Sequence, residues 1–209
     1  MSMSEHTPSL ARALLVVAAL ALQSCQKVPA TPTIMPTQSA VFTAVANKDI
    51  KLLKLAIENG GNVNELGIDG RTPLHNAILQ DGGAEMVEVL VDAGADPGAL
   101  APQYMNCLHL AVMAGDVTIV RHLAKYNSLL DAKDYNGFSP LAYAVNGSRV
   151  DMVEVLLAAG ASPCTKVARV IPLTKFATTV ADNEVDQSGP AHRVLTLVSR
   201  AASERACPE

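Results

Sequence analysis

Two histidines are the residues whose spacing most suggests chemistry in this sequence. His75 and His109 follow similar tripeptides, Thr72-Pro73-Leu74 and Asn106-Cys107-Leu108, and lie 34 residues apart. Imidazole is a common zinc ligand and a common general base at neutral pH. A shared metal needs bonds of about 2 Å, whereas equivalent positions on packed helices lie about 10 Å apart. The sequence therefore predicts no metal site at these two histidines.

Other groupings of side chains give no indication of catalysis. The sequence has no Ser/His/Asp order, no glycine-rich phosphate loop and no paired-cysteine motif. We therefore expect no catalytic residue, no cofactor and no enzymatic activity. The formal net charge of −4 and the lack of a basic run also argue against nucleic acid as a partner, because binding it requires clustered Lys and Arg.

Two of the four cysteines fall in the repetitive part of the chain, and a third directly follows it. Cys107 opens a predicted helix, where we expect a small buried hydrophobe. Cys164 follows a helix-ending turn, and Cys207 follows the last helix, so both would leave the same end of a helical stack. In an oxidising compartment these two would form a disulfide that pins the C-terminal cap. The alternative is a pair of reduced thiols, since sequence alone does not fix the geometry.

Internal repetition organises most of the chain. The hexapeptides at residues 72–77, 106–111 and 139–144 follow one pattern at intervals of 34 and 33 residues. In each, a polar helix cap precedes an apolar helical face. A second marker, an apolar pair, recurs with the same period at Leu52-Leu53, Met86-Val87, Ile119-Val120 and Met152-Val153. Two markers locked to one period predict stacked units that bury their apolar faces only against each other.

The period and the Thr-Pro-Leu-His-x-Ala motif resemble the ankyrin repeat. The resemblance implies an all-α solenoid of about five helix-turn-helix repeats with β-hairpin-like fingers, in which the histidines hydrogen-bond within and between the hairpin loops. The domain would span 40–206, with units at about 40–67, 68–100, 101–133, 134–166 and 167–206. In the last unit about eight residues are inserted around 182–190, where we expect an exposed loop.

Members of this family bind other proteins through the fingers and the adjoining first helices, which implies a concave binding strip. Aromatic side chains are the usual anchors of such interfaces, and charged ones form the rim. In the alternative interpretation, Tyr104 and Phe138 cover the hairpins and Tyr143 packs between repeats. The candidate partner-binding residues are Arg71, Tyr104, Met105, Asp131, Lys133, Asp134, Tyr135, Phe138 and Tyr143.

The first residues predict a targeting signal. Residues 13–22 are continuously apolar, too few to span a bilayer but typical of a signal-peptide core. The tetrapeptide Leu22-Gln23-Ser24-Cys25 resembles a bacterial lipobox, which implies cleavage before Cys25 and lipidation of that residue. We expect a signal at 1–24, the lipidated Cys with a Pro/Thr-rich tether at 25–39, and a short tail at 207–209. An ordinary secretory signal and an uncleaved anchor are the alternatives.

Together these features favour a non-enzymatic protein-binding module on the bacterial cell envelope. Its membrane contact would be a lipid anchor alone, and because Gln26 rather than Asp follows the cysteine, the resemblance implies the outer membrane, facing the periplasm. One version is an immunity lipoprotein that neutralises a toxic effector. The others are a periplasmic helper for a resident enzyme such as a catalase in stress defence, and a structural scaffold at the cell surface.

Overall fold

The computed structural model describes residues 39–184, 186 and 188–207. The predicted signal peptide, the lipidation residue Cys25, the tether up to residue 38 and the end of the tail lie outside the described residues. Within the described part, no helix combines the length and the apolar character needed to cross a bilayer.

Five pairs of antiparallel helices form the body of the described chain, which confirms the predicted all-α solenoid. A single-turn helix, α7 (Asn127–Leu130), lies between the third and fourth pairs. The pairs are α1 (Ala40–Ala46) with α2 (Ile50–Glu58), α3 (Pro73–Ile78) with α4 (Ala84–Asp92), α5 (Cys107–Ala114) with α6 (Val117–Leu123), α8 (Pro140–Asn146) with α9 (Val150–Ala159), and α10 (Leu173–Asp182) with α11 (Pro190–Glu204).

The first helices of successive units pack on one another, and so do the second helices. Three leucines in equivalent positions, Leu74, Leu108 and Leu141, are completely buried between units. The alanines three residues after the first two of these, Ala77 and Ala111, are also completely buried and have small side chains, which lets neighbouring helices approach closely. Because the apolar face of each unit is covered by the next unit, the stability of a unit comes mainly from its contacts with its neighbours.

Helix starts follow the polar residues that the repeat motif predicts. The hydroxyl of Thr72 accepts the backbone N–H of His75, and the side chain of Asn106 accepts that of His109. Pro73 occupies the first turn of α3, where its missing N–H costs nothing. These caps fix the point at which each finger meets its helix.

Four connections, which we call the first to fourth fingers, lead into the first helix of the next unit: residues 59–72, 93–106, 131–139 and 160–172. The first, second and fourth follow a second helix directly, and the third follows the single-turn helix α7. The second finger contains a 3₁₀ turn, Pro102–Tyr104, closed by an isolated bridge between Ala101 and Met105. The fourth contains the antiparallel strands β1 (Lys166–Val167) and β2 (Ile171–Pro172), with Val167 opposite Ile171. The fingers thus end in tight hairpin-like turns.

The fifth unit takes up its extra residues mainly by longer helices. Helix α10 has ten residues and α11 has fifteen, whereas α3 and α4 have six and nine. The expected exposed loop is therefore shorter than 182–190, because Asp182 ends one helix and Pro190 begins the next. Glu184 in this connection is half-buried, and its carboxylate accepts the backbone N–H of Ala191 at 2.8 Å, so it caps α11.

The C-terminal cap is tied to the fourth unit at two points. Cys164 and Cys207 form a disulfide with a Cα–Cα distance of 5.1 Å. The guanidinium of Arg205 donates hydrogen bonds to the carbonyls of Gly160 and Ala161, both at 3.0 Å. These carbonyls lie at the C-terminal end of α9, where cationic groups satisfy free acceptors and the helix dipole.

Candidate protein-interaction site

Large apolar side chains are exposed mainly on the fingers. Of the eleven such side chains that are exposed in the described residues, seven lie there. Every finger contributes at least one: Leu66 and Ile68, then Leu100 and Tyr104, then Tyr135, then Val170 and Ile171. Exposed apolar groups gathered along one edge are typical of a protein-binding surface, while isolated ones are not informative.

Tyr104 and Tyr135 form a stacked pair at the centre of this edge. Their ring centroids are 6.5 Å apart with an interplanar angle of 13°, and the two residues remain 61% and 70% exposed. The backbone N–H of Tyr135 donates to the carbonyl of Gln103 at 2.8 Å. This bond joins the backbones of the second and third fingers at the base of the two rings.

The second finger holds its tyrosine through an unusual backbone. Gln103 and Tyr104 have φ angles of 67° and 59°, a left-handed conformation that residues with a side chain rarely adopt. Such conformations persist only where the surroundings impose them, and they concentrate at functional sites. Here the bridge between Ala101 and Met105 closes the turn and directs the ring of Tyr104 outward.

Asp134 does not belong to the predicted polar rim. Its side chain is buried, and its Oδ1 accepts the backbone N–H groups of Asn136 at 2.9 Å and Phe138 at 2.8 Å. Its Oδ2 accepts the hydroxyl of Tyr143 at 2.6 Å. Burial and this bond to the carboxylate raise the pKa of Tyr143 to about 12. Asp134 thus shapes the third finger from inside, because its oxygens accept hydrogen bonds from the finger backbone and from Tyr143 of α8.

Three further candidates lie beneath the exposed edge. Met105 is buried, so it supports the second finger and offers no surface to a partner. Phe138 and Tyr143 are half-buried, with ring centroids 5.3 Å apart. Phe138 also meets Phe176 of α10 edge-on at 5.7 Å. The alternative interpretation agrees with these contacts for Phe138, which covers a hairpin, and for Tyr143, which packs between repeats, whereas Tyr104 remains 61% exposed. Phe176 was not anticipated from the sequence.

Asp131 and Lys133 are exposed on the third finger, and Arg71 is half-buried on the first. Arg71 pairs with Asp69 of its own finger at 3.4 Å. Asp131 accepts the backbone N–H of Ser162 at 2.8 Å, and the amine of Lys133 donates to the carbonyl of Lys166 at 3.0 Å. These last two bonds join the third and fourth fingers, so both side chains hold the edge together while remaining at its rim.

The two histidines hold the fingers from the core. Nδ1 of His75 accepts the N–H of Thr72 at 3.0 Å, and its Nε2 donates to the carbonyl of Ala99 in the second finger at 3.1 Å. Nε2 of His109 donates in the same way to Phe138 of the third finger at 3.0 Å. Burial lowers the pKa of both imidazoles, which keeps them neutral. Among the described residues no cluster of three potential ligands could hold a metal.

The third described cysteine has an inert environment. Cys107 is completely buried at the start of α5, and burial raises the pKa of its thiol to about 12. A thiol with that pKa is protonated at neutral pH, and the thiolate is the reactive form. Cys107 is therefore a packing residue.

Comparison with known proteins gives a consistent result for the repeats. A family model described as "Ankyrin repeats" matches three copies, over residues 4–101 and 81–167. The Notch-regulated ankyrin repeat-containing protein of Xenopus laevis is 37% identical over 102 residues, which are 45% of this chain and 89% of that protein. An ankyrin repeat protein of Rickettsia bellii is 28% identical over 57% of this chain and 66% of its own length. The match to a protein of Danio rerio described as a palmitoyltransferase, 36% identical over 48% of this chain, spans only 16% of that protein.

Proposed function

The chain belongs to the ankyrin-repeat family, and from this premise we propose that it is a protein-binding module tethered to the bacterial cell envelope. Ankyrin repeats are protein–protein interaction modules, so the general activity of the domain is the binding of another protein. The finer proposal is that the partner docks on the exposed edge of the fingers, centred on the stacked pair Tyr104 and Tyr135.

The stacked tyrosines carry this proposal. They are the most exposed aromatic side chains of the described chain, their rings are stacked, and their fingers are joined by a backbone hydrogen bond. Tyrosine anchors bury a large area at a low entropy cost and are enriched in interface hot spots. The apolar tips on either side, from Ile68 to Val170, extend the surface along four fingers.

Two features support a location in the envelope. The lipobox-like sequence ending at Cys25 is what a lipidated protein would require. The disulfide between Cys164 and Cys207 is of a kind that persists in oxidising compartments such as the bacterial periplasm and is rare in the cytosol. In this proposal the protein is anchored by lipid at the outer membrane and faces the periplasm.

Within this class, we favour an immunity lipoprotein that binds and blocks an incoming toxic effector. A rigid binding edge without its own chemistry is suited to blocking another protein, because occupancy alone is sufficient. A helper of a resident enzyme would use the same edge on a partner that the cell itself produces, and a surface scaffold would bind structural proteins.

Affinity capture separates these versions. A tagged chain would be incubated with envelope extract of the producing strain and, separately, with culture medium of competing strains. A stoichiometric secreted effector from the medium supports immunity, and a resident enzyme from the extract supports the helper role. Capture must fall strongly in the variant Tyr104→Ala/Tyr135→Ala but persist in Tyr126→Ala, a matched control at an exposed tyrosine outside the fingers. Equal capture by the native chain and both variants would refute the finger site.

A further inference from the structure

The fourth finger has the most exposed apolar tip of the C-terminal half. Its strands β1 and β2 are joined by a turn in which Ala168 and Arg169 have φ angles of 48° and 66°. Val170, the next residue, is 74% exposed. The fold thus places an aliphatic side chain in water beside a cation, and the tight turn keeps both at the end of the finger.

This tip is positively charged although the chain is acidic overall. No Asp or Glu occurs between Glu154 and Asp182, whereas Lys166, Arg169 and Lys175 lie in that interval. None of the ion pairs found among residues 39–184, 186 and 188–207 includes these three cations. The charge around the fourth finger is therefore positive, whereas the formal net charge of the chain is −4.

The neighbouring third finger contributes one more cation to this surface. Lys133 lies across from the fourth finger, and its amine donates to the carbonyl of Lys166. Of the two acidic residues of the third finger, Asp134 is buried with three hydrogen bonds, whereas Asp131 is exposed and accepts the backbone N–H of Ser162. The exposed cations Lys133, Lys166 and Arg169 therefore outnumber the one exposed acid of the two fingers, Asp131.

The basic tip is continuous with the tyrosine pair. Gly137, two residues after Tyr135, lies against Arg169: a Cβ at Gly137 would be 3.2 Å from the backbone N and 3.3 Å from Cγ of Arg169. The third finger in turn contacts the second through Tyr135 and Gln103. One uninterrupted surface therefore runs from the stacked rings to Arg169 and Val170.

We propose that this end of the edge binds an acidic segment of the partner protein in which apolar side chains flank the carboxylates. Arg169 and Lys166 would receive the carboxylates, because a guanidinium pairs with a carboxylate in a planar, two-bond geometry. Val170 and the tyrosine rings would receive the apolar side chains. The proposal rests on the proposed function, since it describes the partner of the same surface. Local charge of this kind sets orientation and association rate.

The test is a selection from a displayed library of short random peptides on the purified full-length protein. We expect the selected peptides to be enriched in Asp and Glu next to aromatic or aliphatic residues, relative to the starting library. Their affinity should fall about tenfold or more in Lys166→Glu/Arg169→Glu, and it should fall with added salt, as expected for exposed charges.

A second charge reversal provides the matched control. Lys51→Glu/Arg121→Glu makes the same change in net charge at exposed positions of the second helices α2 and α6, outside the fingers. It should leave the affinity of the selected peptides unchanged. A loss equal to that of the finger variant would mean that overall charge, and not the fourth finger, is responsible, and it would overturn the proposal.

The remaining outcomes also decide the question. Selected peptides without an acidic bias, or a library that yields no binder, would overturn the proposal of an acidic segment. A third outcome is that no acidic peptide binds, while vesicles containing anionic phospholipid bind and Lys166→Glu/Arg169→Glu abolishes that binding. The ligand of the fourth finger would then be a membrane surface and not an acidic segment, which would overturn the proposal. The proposed function fails separately, when Tyr104→Ala/Tyr135→Ala leaves partner capture intact.

Discussion

The hydroxyl of Tyr143 donates to Oδ2 of Asp134 at 2.6 Å, and this bond joins the third finger to the first helix of the fourth unit. The same carboxylate accepts two backbone N–H groups of the finger. Because Tyr135 lies between Asp134 and Asn136, the bond between Tyr143 and Asp134 helps to position one member of the tyrosine pair. Hydrogen bonds inside the fold are thus coupled to the proposed binding surface through one short loop.

Removing this bond should loosen the third finger. We expect Tyr143→Phe to lower the free energy of unfolding by about 1.5–3 kcal/mol, the usual contribution of a hydrogen bond to a charged group. Urea denaturation of Tyr143→Phe, Asp134→Ala and the double variant gives the coupling between the two residues. Tyr126→Phe, at an exposed position, should have little effect. Additive single losses in the cycle would show that the two side chains act independently.

The histidines predict a dependence of stability on pH. Burial lowers the pKa of His75 and His109 below the ordinary value of 6.5. Below about pH 6.5 the unfolded chain therefore binds protons that the folded chain does not. Stability should fall as pH decreases through this range, by up to about 1.4 kcal/mol per pH unit for each histidine.

Denaturation midpoints between pH 5 and 8 check this expectation by comparing the native chain with His75→Gln/His109→Gln. The variant should be less stable at pH 8, because it loses well-formed hydrogen bonds to Ala99 and Phe138. Its stability should nevertheless decline less steeply below pH 6.5. Parallel curves for the two proteins would mean that other groups cause the acid sensitivity.

The disulfide predicts a stability that depends on redox state. Cys164 and Cys207 are 43 residues apart, and closing a loop of this length typically stabilises a fold by about 2–4 kcal/mol. Thermal denaturation of Cys164→Ser/Cys207→Ser should show a loss of this size, and addition of a thiol reductant should reproduce it in the native chain. The variant itself should not respond to the reductant. If it does, the reductant acts elsewhere.

The predicted signal at residues 1–24 implies lipid attachment at Cys25. Cells expressing the full chain and fed a clickable palmitate analogue should label it, and Cys25→Ala should abolish the label and release the protein from the membrane fraction. Cys164→Ser/Cys207→Ser serves as the control for nonspecific thiol labelling and should retain the label. Label that survives Cys25→Ala would refute the lipoprotein proposal, and a soluble periplasmic product without label would favour the ordinary secretory signal.

The solenoid could be predicted because the same packing pattern occurs in several units of the sequence. Leu74, Leu108 and Leu141 recur at the repeat interval and are all buried, so each unit supports the interpretation of the others. The fifth unit lacks this redundancy, which is why the sequence suggested a longer loop where α10 and α11 extend instead.

The proposed binding surface was predictable only in part. Residue type pointed to the tyrosines of the fingers as candidates, but their exposure depends on how each finger turns. Asp134 looked like a rim residue, yet its position in a tight turn directs its carboxylate to the finger's own amides. Val170 and Ile68 were not among the candidates, because apolar residues in a finger can be either exposed or buried and the repeat pattern does not distinguish the two.

Site-specific photo-crosslinking tests the central claim, that partners bind at the stacked tyrosines, most directly. A photoreactive phenylalanine would replace Tyr135 in one protein and Tyr126 in another, and each would be irradiated with the extract or medium that yields a captured partner. We expect a crosslinked partner of defined mass from position 135 and none from position 126. A partner crosslinked only from position 126, or equally from both, would contradict the account and move the binding surface off the fingers.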